Sequence, residues 1–143
     1  MSMAIFFVVL GQPQGKGRPR ATTRGGFVRL YTDAKTRSYE DLICYQARFA
    51  MNDQQPFATP VAVRIDAFYN IPVSWSKKKQ QAALRGEIMA GKPDLDNIAK
   101  SVLDGLQMNK VCITDDQNVI KLTVEKRFSF QPRIEVCVYE VFQ

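Results

Sequence analysis

The segment Val61 to Tyr69 most narrows what this chain can become: Val61, Val63, Ile65 and Ala67 alternate with Ala62, Arg64, Asp66 and Phe68. A period of two sends the first set to one side of an extended chain and the second to the other, so a strand is expected, ended by Pro72. Three more stretches read as strands: the apolar run Ala4 to Leu10, then Val119 to Phe128 and Arg133 to Val141 around a turn at Ser129 to Pro132. Helical patterns lie between them. Thr32 offers an N-cap to a helix from Asp33 to Met51, in which Tyr39, Ile43 and Ala47 recur every four residues and should face the core. Ser74 or Ser76 can cap a second, Lys77 to Glu87, and a third follows Pro93. These elements predict an α/β (α+β) fold: a single compact domain over residues 1–143, with a mixed sheet of about four or five strands and about three helices. A chain of 143 residues is long enough to bury its own core.

Charge and missing residue types limit the function. Twenty Lys plus Arg against fourteen Asp plus Glu leave a formal charge of +6, which favours a polyanionic partner. With no histidine anywhere, imidazole bases, imidazole metal ligands and Ser-His or Cys-His nucleophiles are excluded. Catalysis must use carboxylates, lysines, tyrosines or bound metal. Cys44, Cys112 and Cys137 lack Cys-x-x-Cys spacing, which argues against a zinc module or a disulfide framework and for a reducing, cytoplasmic setting. The run Ala4 to Leu10 is too short to span a bilayer, so no membrane association is expected.

Two basic stretches could meet phosphates. Gly11 to Arg20 is rich in Gly, Pro and cations, and Lys16, Arg18, Arg20 and Arg24 are the expected backbone contacts. It is not a P-loop, because the glycine spacing is too short and Gly17 stands where Ser or Thr is needed. Lys77, Lys78 and Lys79 fall in a helical first turn, where the dipole disfavours cations; an external anion or plain solvation would each account for them. Trp75 beside them could stack on a base or simply pack.

The densest information lies in Lys92 to Leu106. Pro93 favours an extended approach, in which Asp94 and Asp96 point to one side. If a helix begins around Asp96, then Ile98, Val102 and Leu106 form its apolar stripe and Asp96, Lys100 and Asp104 stand on a polar face. Asp115 and Asp116 follow just before a strand, after a connection short enough to return them to the helix. Like charges this close raise one another's pKa unless a cation neutralises them, and hard oxygen donors favour Mg²⁺ or Mn²⁺. Lys100 could neutralise phosphate charge or position water. The bland alternative is that Asp94 or Asp96 caps the helix and Asp115-Asp116 is a polar turn.

The pattern Pro93-Asp94-Leu95-Asp96-Asn97, Lys100, Leu103-Asp104-Gly105-Leu106, Asp115-Asp116 and Val119-Ile120 resembles the signature of the RusA family of Holliday-junction resolvases. Gly15-Lys16-x-Arg18-Pro19-Arg20, Tyr31-Thr32 and Tyr39 are similar to the start of many phage members. The resemblance implies an endonuclease cutting four-way junctions with Mg²⁺, Mn²⁺ substituting, as a homodimer. It assigns Asp94, Asp96 and Asp116 as metal ligands and Lys100 as needed for cleavage, with Asp115 and Asp104 in less certain roles. The spacer before Asp115-Asp116 looks slightly longer than in the best-known member, which leaves open which of the two is the ligand. A silent DNA-binding module that kept the fold, and a nuclease for flaps or other branches, are the alternatives.

Overall fold

The structure, a computed structural model, describes residues 3–16, 20–22, 26, 29–31 and 34–141. Strand β1 (Ala4–Leu10) is followed by a short ribbon, β2 (Arg20–Thr22) and β3 (Arg29–Tyr31), and by helix α1 (Ala34–Met51). Strand β4 (Val61–Asn70), helices α2 (Lys77–Leu84) and α3 (Leu95–Gln107), and strands β5 (Val119–Ser129) and β6 (Arg133–Glu140) complete the order. The fold is α+β. Its main sheet runs β1-β6-β4-β5, antiparallel except for the parallel pair β4 and β5, which the α2–α3 crossover connects.

The alternation in β4 holds except at one position: Val61, Val63, Ile65, Ala67 and Tyr69 are buried and Arg64, Asp66 and Phe68 only partly covered, but Ala62, expected with the latter set, is buried beside a shift of register. Register places Ile65 beside Val124 of β5 and Val136 of β6, so the apolar rows of adjacent strands fall on one face. Helix α1 lies against β1 and α3, with Tyr39, Ile43 and Ala47 buried as their spacing predicts. The expected N-cap Thr32, and Asp33, lie outside the described residues. Across the opposite sheet face Arg64, Asp66, Glu125 and Arg127 form a network with N to O distances of 2.6–3.2 Å.

Two helix boundaries differ from expectation. Helix α2 stops at Leu84 rather than Glu87, because Gly86 takes φ +79° and the Gly86 and Glu87 N–H groups fold back onto the Ala83 and Ala82 carbonyls at 3.0 Å. Ser76, not Ser74, caps its start, accepting from the Lys79 N–H at 3.2 Å. Helix α3 begins at Leu95, with Asp94 as N-cap. Asp96 is therefore in a helical first turn, and the two carboxylates are not the same-side pair of one extended strand. Among the described residues no helix is long and apolar enough to cross a membrane.

Candidate active site

Helix α3 is held by its apolar stripe. Ile98, Val102 and Leu106 are all fully buried, and burial of each stabilises by roughly 1.5–3 kcal/mol. Gly105 lets α1 approach: a Cβ there would lie 2.6 Å from Ile43 Cγ2. With that face fixed, Asp96 and Lys100 are exposed on the other side.

Asp94 occupies the N-cap position with extended backbone (φ −73°, ψ 161°), yet its side chain makes no capping hydrogen bond. The carboxylate is left uncommitted at the helix start, where the dipole favours negative charge. Tyr69, at the end of β4, donates from its hydroxyl to the Pro93 carbonyl and so ties the preceding residue to the sheet. Burial, then the nearby Asp94 charge, push the Tyr69 hydroxyl up to about 12, so it remains a neutral donor.

The Gln12 to Lys16 segment closes over the same helix start. The Lys16 N–H donates to the Asn97 carbonyl at 3.0 Å, and a Cβ on Gly15 would fall 2.8 Å from side-chain carbons of both Pro93 and Asn97. Lys16 Nζ reaches Glu40 at 2.5 Å and Asp104 at 3.1 Å. Burial opposes its charge, but the two carboxylates outweigh burial and hold its pKa above the usual lysine value. Lys16, expected on phosphate, is thus engaged inside the protein, and Asp104 is its partner. Arg18 and Arg24 lie outside the described residues; Arg20 is in β2, where only its backbone is described.

After α3, Asn109 and Lys110 adopt φ of 54° and 53° and turn the chain back, so that the Cys112 and Ile113 N–H groups both bond the Leu106 carbonyl. Asp115 and Asp116 return along α3 in this way. Gln107, the last residue of α3, links Asp116 to Asp104: its side-chain oxygen accepts from the Asp116 N–H at 3.1 Å, and its amide donates to Asp104 at 3.4 Å. The Asp115 carboxylate accepts from the Gln117 N–H at 2.9 Å, and that bond, then one shared with Asp116, lowers its pKa. The Asp116 carboxyl is raised, first by sharing a hydrogen bond with Asp115, then by burial and by the like charges of Asp115 and Asp104, against Lys100.

The structure therefore gathers Lys100, Asp104, Asp115 and Asp116 along one side of α3 and Asp94 and Asp96 at its start. Among the described residues no three His, Cys, Asp or Glu side chains approach closely enough to hold a metal. The donor chemistry fits a hard divalent cation: exposed carboxylates, one without a capping role and one raised by its neighbours. Lys77, Lys78 and Lys79 are exposed on α2, and Lys79 Nζ sits 4.0 Å above the Trp75 ring, whose edge packs on Phe128 at 5.4 Å. Packing thus accounts for much of Trp75. Sequence reading missed Tyr69, Gln107 and Glu40; only their positions relative to α3, not their types, mark them.

The family model for endodeoxyribonuclease RusA matches residues 11–139. An uncharacterized protein of Bacillus subtilis (strain 168), YqaN, is 36% identical over 141 residues, covering 96% of each chain. A solved structure of Plasmodium falciparum IspF in complex with CDP aligns over 95% of this chain and 93% of its own, at 11% identity and a TM-score of 0.30, too low for a common fold to be read from it.

Proposed function

Because this chain belongs to the RusA family of endodeoxyribonucleases, we propose that it is a metal-dependent nuclease, one domain over residues 1–143, that resolves four-way DNA junctions by paired symmetric cuts. The observation that carries this reading is the Asp94 carboxylate, at a helix N-cap yet free of the capping bond such a residue normally makes. A capping aspartate would be structural; an uncommitted one beside exposed Asp96 is available to a cation.

In this reading Asp94, Asp96 and Asp116 hold Mg²⁺, or Mn²⁺ in its place. Such an ion supplies activation of water and stabilises charge on the phosphate being cleaved. Asp115, one of whose carboxylate oxygens accepts from the Gln117 N–H, stands beside Asp116; the family resemblance gives the ligand role to Asp116, and comparing Asp115→Asn with Asp116→Asn distinguishes the two. Lys100 sits one helical turn beyond Asp96 and acts on the phosphate or its water. Gln107 and Tyr69 position the two ends of the acidic set.

Lys77, Lys78 and Lys79, with Arg18, Arg20 and Arg24, supply phosphate contacts, so binding weakens steeply with salt and depends little on sequence. Lys16 orders the base of that loop against α3. Two nicks of like polarity in a two-fold substrate require two related sites, hence a homodimer. The setting is cytoplasmic recombination and repair.

A second reading is a DNA-binding module without catalysis, in which cations such as Lys77, Lys78 and Lys79, exposed on α2, carry the function. Labelled four-way junction, linear duplex and flap, incubated with Mg²⁺, Mn²⁺ or EDTA, separate the two. Paired nicks in the junction that require metal support the resolvase; a preferred flap keeps the chemistry and changes the substrate; binding without cutting in every metal supports the silent module.

A further inference from the structure

Beside Asp94 opens a cleft of about 490 Å³ that the hydrolytic chemistry leaves unused. Ala83 at the end of α2, Ala90 and Phe128 of β5 give it apolar walls, while Lys92 and Lys126 add cations and Asp94 itself lines one side. Two bonds fix its geometry. Lys126 Nζ donates to the Gly91 carbonyl at 3.0 Å, and the Tyr69 hydroxyl donates to the Pro93 carbonyl. Both hold the 91–93 strip to the sheet, so the cleft and the Asp94 carboxylate keep a constant relation. Its volume lies within the range of small-molecule sites, which combine apolar walls with a few placed polar groups.

That combination matches one component of DNA. A nucleotide joins a base that is flat and apolar on its faces, through the sugar, to an anionic phosphate, and the cleft pairs an aromatic wall with lysines. We propose that the cleft receives one unstacked base of the strand being cut, next to the phosphate presented to Asp94; this rests on the reading of the protein as a DNA endonuclease. Bases at a branch point are less firmly stacked and paired than those in linear duplex and cost less to extrude. Base capture is therefore a device by which this fold selects branched over linear DNA, without reading sequence along a groove.

The chain has one tryptophan, Trp75, packed on Phe128, so its fluorescence reports on the cleft. The test titrates the full chain with deoxycytidine and deoxyadenosine monophosphates, and with deoxyribose 5-phosphate as the base-free control. Two variants obstruct the cleft at positions the fold tolerates: Gly91→Leu, where an added Cβ meets nothing within 4 Å, and Met89→Glu, at a lining side chain 92% exposed. Saturable response to both nucleotides, none to the base-free control, and on the order of tenfold weaker binding in both variants are expected. The same variants should lose on the order of tenfold in junction cutting relative to linear duplex. Equal response to deoxyribose phosphate, or no change in either variant, overturns the proposal. If the parent cuts junctions while its nucleotide response is base-independent, the cleft assignment fails and the nuclease reading stands. Base-dependent binding without cutting in any metal leaves the cleft assigned and removes the nuclease reading.

Discussion

Asp115 and Asp116 are sequence neighbours in different circumstances. Asp115 accepts from the Gln117 N–H and is held low; Asp116 is crowded by Asp115 and Asp104 and is raised. Asp116→Asn should lower metal-dependent cleavage on the order of 100-fold or more, and Asp115→Asn only about tenfold, since outer groups that orient a ligand typically cost 10–100-fold. Single-turnover junction cleavage measures both. Lys16 is engaged differently, because Glu40 is buried and has Lys16 as its ion-pair partner. Breaking a fully buried pair costs about 3–5 kcal/mol, and partial exposure here scales the expected loss for Lys16→Met to about 2 kcal/mol by urea unfolding. The raised lysine pKa makes this contribution complete below the unfolded value of 10.5 and lost only as pH rises through the folded value. The variant's deficit should therefore be the same at pH 6 and pH 8. Nothing in the sequence around Lys16 distinguishes a phosphate contact from this internal pair, because its partners stand 24 and 88 positions away.

At the scale of elements, α3 was the most legible part of the chain, since Ile98, Val102 and Leu106 repeat on one helical face and all are buried. Its start was less so. Asp94 and Asp96 fit an extended pair as well as a helix start until the cap is seen, and the choice depends on Pro93 being held by Tyr69 from another element. The end of α2 is set by Gly86, whose φ of +79° stops the helix at Leu84, whereas the run of helix-forming residues before it carries no signal of where the helix ends. The β2–β3 ribbon carries too few residues for any periodicity to show. Gly105 marks the α1–α3 crossing. In an exposed helix Gly→Ala stabilises by about 1 kcal/mol, but here the new methyl would enter Ile43 at 2.6 Å. Gly105→Ala should instead destabilise by roughly 1–3 kcal/mol, read as a lower urea midpoint with unchanged slope.

For the whole molecule, the strand patterns and the +6 charge were visible from the start, whereas the meeting of residues around α3 depends on a crossover no local pattern encodes. Stability should be flat through neutral pH and fall in alkali. Burial holds the Cys112 thiol up at about 12 from 9.0, and burial first holds Tyr39 and Tyr69 at about 12 from 10.0. Above pH 9 the unfolded chain loses these protons before the folded one, so stability present below that point is lost at about 1.4 kcal/mol per pH unit per ionised group. Urea midpoints between pH 7 and 11 check this. The role of the acids at the start of α3 is tested most directly by Asp96→Asn on a labelled four-way junction, with binding and cleavage read side by side in Mg²⁺. Junction binding equal to the parent's, with paired nicks that are made by the parent and lost in the variant, is the expected result; undiminished cutting by Asp96→Asn, or cutting by the parent in EDTA, would contradict it.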